Sequence, residues 1–104
     1  MLDFWASWCQ PCRAKYPDMI EFYQTHGDRV EILSISLDRK ESNWENAIKK
    51  DGTPWLHILD EHQPEKWGQL FNVRLIPSNF LIHRSGEIVG KDMSVDQMVE
   101  LLLK

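Results

Sequence analysis

Apolar residues along the chain fall into two rhythms. LDFW, residues 2–5, and VEILSISL, residues 30–37, are short runs of strand formers; the second, closed by Asp38, reads as a buried parallel strand. Between them Tyr16, Met19, Ile20 and Tyr23 recur at i, i+3, i+4 and i+7. That spacing predicts a helix that follows two cysteines and stops at Gly27. Pro17 falls inside it, where its missing N–H should bend the axis.

The segment 38–72 is the least repetitive stretch, yet its punctuation is clear. Ser42 and Glu45 make a capping-box pair ahead of Trp44, Ala47 and Ile48, Lys49 and Lys50 fill the last turn, and DGTP ends that helix. WLHIL, residues 55–59, is a candidate edge strand. Pro64 then opens a short helix with Trp67, Leu70 and Phe71 on its apolar face and Asn72 as a left-handed stop. NFLIH and EIV, joined by RSG, read as an antiparallel hairpin, and Ser94 with Gln97 caps a last helix carrying Val95, Met98, Val99 and Leu102. The order β, α, β, α, β, α, β, β, α with right-handed crossovers predicts an α/β fold. It has three αβα layers, a mixed central sheet of about four to five strands and about four helices.

Composition sharpens this picture. With 104 residues, 42% hydrophobic and five Trp among them, the chain has enough apolar mass for one packed domain over 1–104 and not for two. The net charge of −4 and the lack of a basic run argue against a nucleic-acid partner. No apolar run approaches the roughly 20 residues that cross a bilayer, and no signal precedes the fold, so the chain as given reads as soluble. It opens almost directly on the strand LDFW, as though an N-terminal part were cut short.

Cys9 and Cys12 are the two cysteines of the chain, and their spacing admits three readings. As a staple the pair closes almost no loop and would restrain the unfolded chain little. As half of a structural zinc site it needs two more ligands, and His26, His57, His62 and His83 are scattered without a paired spacing. As a redox pair it meets a chemical need. Attack on a disulfide requires a thiolate, and the unpaired N–H groups at a helix start stabilise negative charge on the first sulfur, Cys9. Pro11 suits that start because its missing N–H would have gone unpaired. Cys12, one turn further in, would then resolve the mixed disulfide. Asp3, a carboxylate in an apolar strand, is either a buried acid of raised pKa suited to moving that proton or an edge-strand residue facing solvent.

DFWASWCQPC resembles the active-site stretch of thioredoxins, and IPSNFLI, residues 76–82, resembles their cis-proline segment. The resemblance covers the whole chain. Relative to small thioredoxins, 38–72 is a helix-strand insertion similar to that of TlpA- and ResA-like thiol-disulfide reductases and of tryparedoxin. It implies a thioredoxin fold in which Asp3 is the buried acid, Pro77 the cis-proline, and Ile76 a backbone partner for an extended substrate. Trp5 would lie in the core, while Trp8, Gln10 and Pro11 would complete the substrate rim. The implied activity is reduction of protein disulfides by a monomer with no cofactor or metal, recharged by an upstream dithiol donor. The implied setting is periplasmic or membrane-tethered and extracytoplasmic. A thiol peroxidase of the same superfamily and a non-catalytic zinc module are the alternatives. Gln10 brings no charge, and Arg13 and Lys15 are expected to project into solvent, so the pair should sit toward the reducing end.

Overall fold

The computed structural model describes residues 1–60 and 66–103. Its elements run β1 (Leu2–Trp5), α1 (Gln10–Ala14), α2 (Tyr16–His26), β2 (Leu33–Ser36), α3 (Glu41–Asp51), β3 (Leu56–Leu59), α4 (Lys66–Leu70), β4 (Ser78–Ile82), β5 (Ile88–Lys91) and α5 (Val95–Leu102). The strands form one five-stranded sheet in the order β3-β2-β1-β4-β5. β1, β2 and β3 are parallel, whereas β4 runs antiparallel to both β1 and β5. The first strand in sequence is thus the middle strand of the sheet.

Strand alternation sorts the side chains onto two faces. Asp3 and Trp5 of β1 point toward the larger core, where Tyr16, Met19 and Phe22 of α2, Ala47 of α3 and Met98 of α5 are buried. Leu2 and Phe4 point the other way, toward a smaller cluster with Ile35 and Phe80 that Trp67 and Phe71 cover. Phe4, Phe71 and Phe80 meet there with ring centroids 5.1 to 6.1 Å apart, in tilted and edge-on geometries that favour aromatic contact. The crossovers explain this division. Steps from β1 to β2 to β3 move in one direction and leave α1, α2 and α3 on one face. The return past β1 to β4 carries α4 to the other.

Several local expectations are corrected. The single bent helix is instead two, broken at Lys15. Pro17 has no N–H for the carbonyl of Arg13, and its ring would press on that carbonyl, so a new helix starts with proline in its first turn, where the missing donor costs nothing. The Ser42–Glu45 capping box does not form, because α3 begins two residues earlier, with Lys40 as its N-cap and Ser42 already inside the first turn. β2 starts at Leu33, opposite Leu2, so Val30 and Ile32 are buried without belonging to the strand. Leu70 is exposed, because this five-residue helix turns Trp67 and the buried Gly68 toward the sheet. Pro64, expected to open that helix, lies outside the described residues.

Other boundaries fall where the pattern places them. Gly52 ends α3 in the left-handed conformation at φ 67°, Asn72 follows α4 at φ 54°, and Ser94 and Gln97 form a complete capping box on α5. The start of α4 is held by a residue not singled out from the sequence. Buried Asp60 accepts the backbone N–H groups of Lys66 at 3.2 Å and Trp67 at 2.8 Å, donors that the helix itself leaves unpaired. Asp60→Ala should therefore destabilise the protein by roughly 2–3 kcal/mol in urea unfolding. Leu70→Ala should stay within about 0.5 kcal/mol. The reverse ranking would show that α4 is not anchored through Asp60.

Candidate active site

The chain leaves β1 at Trp5 and turns sharply, with the Cys9 N–H donating to the Ala6 carbonyl at 3.0 Å, before α1 begins. Cys9 is the N-cap of α1, and its Sγ accepts the backbone N–H of Cys12 at 3.3 Å. The two sulfurs are bonded to each other, with the Cα atoms 5.3 Å apart. Both residues are nearly buried, Cys9 at 5% exposure and Cys12 at 1%, so exposure hardly separates them. What separates them is position: only Cys9 has a helix N–H directed at its sulfur. Because α1 is short, this local donor contributes more than any long helix dipole.

Two carboxylates, Asp38 and Asp51, anchor the turn. Asp38, buried just past β2, accepts from the Ser7 backbone N–H at 2.9 Å, the Ser7 hydroxyl at 2.6 Å and the Ser36 hydroxyl at 2.6 Å. Arg13 forms a two-pronged ion pair with Asp51 at the end of α3, both bonds 2.8 Å long, and also donates to the Ser7 carbonyl at 3.0 Å. The expectation that Arg13 projects into solvent is corrected: its fork is shared between α3 and the redox turn, and its charge is balanced by Asp51. Only a carboxylate at the end of strand β2, beside the end of β1, hints at Asp38 in the sequence. Nothing local announces Asp51.

Asp3 lies on the middle strand, paired with Ser34 on one side and Asn79 on the other, and is 5% exposed. One of its oxygens, Oδ2, accepts the hydroxyls of Tyr16 at 2.8 Å and Ser34 at 2.7 Å. Burial pushes its carboxyl above the ordinary Asp range, while the two hydroxyl bonds and the charge of Lys15 pull the other way. The Tyr16 hydroxyl is driven well above its usual range by burial and by Asp3, so it stays a donor. Tyr16 also packs edge-on between Trp5 and Trp55, which fixes its ring.

The remaining residues singled out from the sequence surround this centre. Trp8 is 67% exposed, Gln10 and Pro11 are exposed beside it, and Trp5 is fully buried. The Ile76–Pro77 peptide bond is cis. Ile76 packs against the core cluster that contains both cysteines, and Pro77 lines a cavity with Asp3. Leu75, not picked out from the sequence, is 83% exposed next to Ile76 and adds to the apolar rim. His57 is half-buried between Trp5 and Trp55, bonded to the Thr53 hydroxyl at 2.8 Å, and burial lowers its pKa toward the neutral form. His26 packs on Phe22 and His83 bonds Ser85, while His62 lies outside the described residues. Among the described residues no three His, Cys, Asp or Glu side chains gather as a metal site, and no helix is long and apolar enough to cross a membrane.

The chain is similar to known proteins along most of its length. The sporulation thiol-disulfide oxidoreductase A of Bacillus subtilis is 33% identical over 95 residues, covering 85% of this chain and 54% of that protein. The thiol-disulfide oxidoreductase ResA of Bacillus thuringiensis is 30% identical over 89 residues, covering 85% and 50% respectively. The chain thus spans about half the length of the curated relatives it matches. Among solved structures, the thioredoxin domain of a thiol-disulfide oxidoreductase from Bacteroides vulgatus superposes with a TM-score of 0.89 at 27% identity, covering 99% of this chain and 77% of that one. StoA from Bacillus subtilis superposes with a TM-score of 0.82 at 28% identity, covering 97% and 79%. The five-stranded mixed sheet with helices on both faces is therefore a thioredoxin fold. A sequence model described as thioredoxin-like matches residues 1–88, and the chain belongs to the thioredoxin-like family.

Proposed function

We propose that this chain is a thiol-disulfide oxidoreductase that reduces protein disulfides, with Cys9 as nucleophile, Cys12 as resolver and Asp3 as proton shuttle. The observation that carries this reading is the Cys9–Cys12 disulfide at the start of α1, with a backbone N–H already directed at the Cys9 sulfur. In the reduced protein that donor stabilises the Cys9 thiolate. The thiolate attacks a substrate disulfide, a Cys9–substrate bond forms, and one substrate sulfur leaves as thiolate. Cys12 then gives its proton to Asp3 and attacks Cys9 Sγ, which releases the second substrate sulfur. The pair gives the substrate two electrons, the Cys12 proton passes to Asp3, the two substrate thiolates take protons from solvent, and an upstream dithiol reduces the pair again. Trp8, Gln10, Pro11, Ile76 and Pro77 form the surface on which an extended substrate lies. We extend the reading to a monomer working in a periplasmic or membrane-tethered extracytoplasmic setting, in line with the resemblance to TlpA- and ResA-like reductases.

Substitution of each cysteine separates the roles. Cys9→Ser should abolish disulfide reduction, and Cys12→Ser should accumulate a mixed disulfide, both visible by mass spectrometry with a model disulfide. Trapping by the Cys9→Ser protein instead would reverse the assignment. Peroxide consumption without a protein substrate would favour the peroxidase.

Asp3 makes a pH-dependent contribution whose sign follows from its raised pKa. Below the ordinary Asp range the group is neutral in both states. As pH rises from there through its raised folded value, the unfolded chain ionises first and stability is lost. Asp3→Asn should remove that slope, leave a protein at least as stable at neutral pH, and slow turnover. Equal rates in both proteins from about pH 6 to 9 would end the shuttle role.

The potential should lie on the order of −270 mV, as in thioredoxin-type pairs. Gln10 adds no charge and the Arg13 charge is balanced by Asp51, so neither lowers the energy of the thiolate much. Equilibration against glutathione or dithiothreitol, read by Trp8 fluorescence, measures it. A value above about −180 mV would overturn the reductase direction.

A further inference from the structure

The buried acid is held by a directed chain of donors that reaches into the 38–72 segment. Trp55 Nε1, which can only donate, gives its hydrogen to Ser34 Oγ at 2.8 Å. Ser34 therefore turns its single hydrogen toward Asp3 Oδ2 at 2.7 Å, and Tyr16 donates to the same oxygen at 2.8 Å. Two donors fill one carboxylate oxygen, while Oδ1 accepts no hydrogen bond among the described residues. Asp3 also lines a cavity of about 640 Å³ between α2 and α5, with Pro77 and Asn79 on its β4 side. A proton arriving at Oδ2 would have to displace a donor. One arriving at Oδ1 displaces nothing.

We propose that Trp55, Ser34 and Tyr16 are positioning residues that set the titration of Asp3 by converging on Oδ2, leaving Oδ1, which accepts no hydrogen bond among the described residues, as the oxygen that gains and loses the proton. This rests on the shuttle reading of Asp3. Oδ1 takes the proton of the Cys12 thiol as that sulfur attacks Cys9 and afterwards releases it to solvent, from which the departing substrate thiolate is protonated. The titratable residues that line the same cavity are Met1 with its N-terminal amine, Lys15, Asp18, Glu21, His26, Asp92 and Asp96. All of them are unchanged in the variants below, so a shift between variants reports the donor removed.

The experiment follows the Asp3 carboxyl directly by carbon NMR of aspartate-labelled protein across pH, in the wild type and in Tyr16→Phe, Ser34→Ala, Ser34→Thr and Trp55→Phe. Each lost hydroxyl donor favoured the ionised form, so its removal moves the midpoint of Asp3 to higher pH. Ser34→Thr, which keeps a hydroxyl, restores it, and Trp55→Phe gives a smaller shift in the same direction. The acid limb of the pH–rate profile follows, with turnover near pH 6 reduced about tenfold and turnover near pH 9 by less than about twofold, the equivalent of one charge-assisted bond. A midpoint unmoved or lowered in folded Tyr16→Phe, or in Ser34→Ala should the first variant fail to fold, overturns the donor chain. A midpoint that moves while the acid limb stays fixed supports the chain and overturns the shuttle reading of Asp3.

Discussion

A carboxylate on the middle strand of a five-stranded sheet is the constraint around which the rest of this protein is arranged. Removing an ionised group from water costs several kcal/mol, and each charge-assisted hydrogen bond returns only about 1.5–3. Two hydroxyls on Asp3 therefore reduce the penalty without cancelling it, and burial remains the largest influence on its pKa. The balance leaves an acid that holds its proton more readily than a solvated one. The same geometry explains its neighbours: serine at position 34 on a core-facing strand position, tyrosine at the start of α2, and a tryptophan behind the serine to aim it.

Beside that acid the redox turn is held by two carboxylates, one through neutral hydrogen-bond donors and one through an ion pair. Ser7 is gripped through its backbone N–H and hydroxyl by Asp38 and through its carbonyl by Arg13, so the turn is tied to both β2 and α3. The half-buried Arg13–Asp51 pair is two-pronged, the arrangement in which an ion pair contributes orientation as well as energy. Holding the turn fixes Cys9 as the cap of α1, and that position alone gives its sulfur a directed N–H. The N–H at the Cys9 sulfur is thus a consequence of loop anchoring more than of helix length.

The 38–72 segment joins these two themes. Read from sequence it is a helix and an edge strand inserted between better-defined elements, yet it supplies Asp38 and Asp51 to the redox turn, Trp55 to the acid and Asp60 to the start of α4. A segment that contributes the edge strand β3 thus supports the centre of the sheet.

The sequence by itself determined the order of elements, the mixed sheet, the hairpin, the capping box on the last helix and the identity of the reactive pair. Each of these is written in local signals: alternation for strands, 3.6-residue spacing for helices, Ser and Gln three apart, two cysteines at a helix start. It left Asp3 between a buried acid and an edge-strand residue, because one strand's pattern does not say how many neighbours the strand has. Only the tertiary structure decided that β1 is central, that Arg13 reaches Asp51 across 38 residues, and that Tyr16, Ser34 and Trp55 converge on a single carboxylate. The same holds for the local errors. Pro17 starts a helix where a bend was expected, and Ser42 misses its cap, since a helix boundary is set by competition between signals a few residues apart. Partners distant along the chain leave no periodic trace, and only packing brings them together.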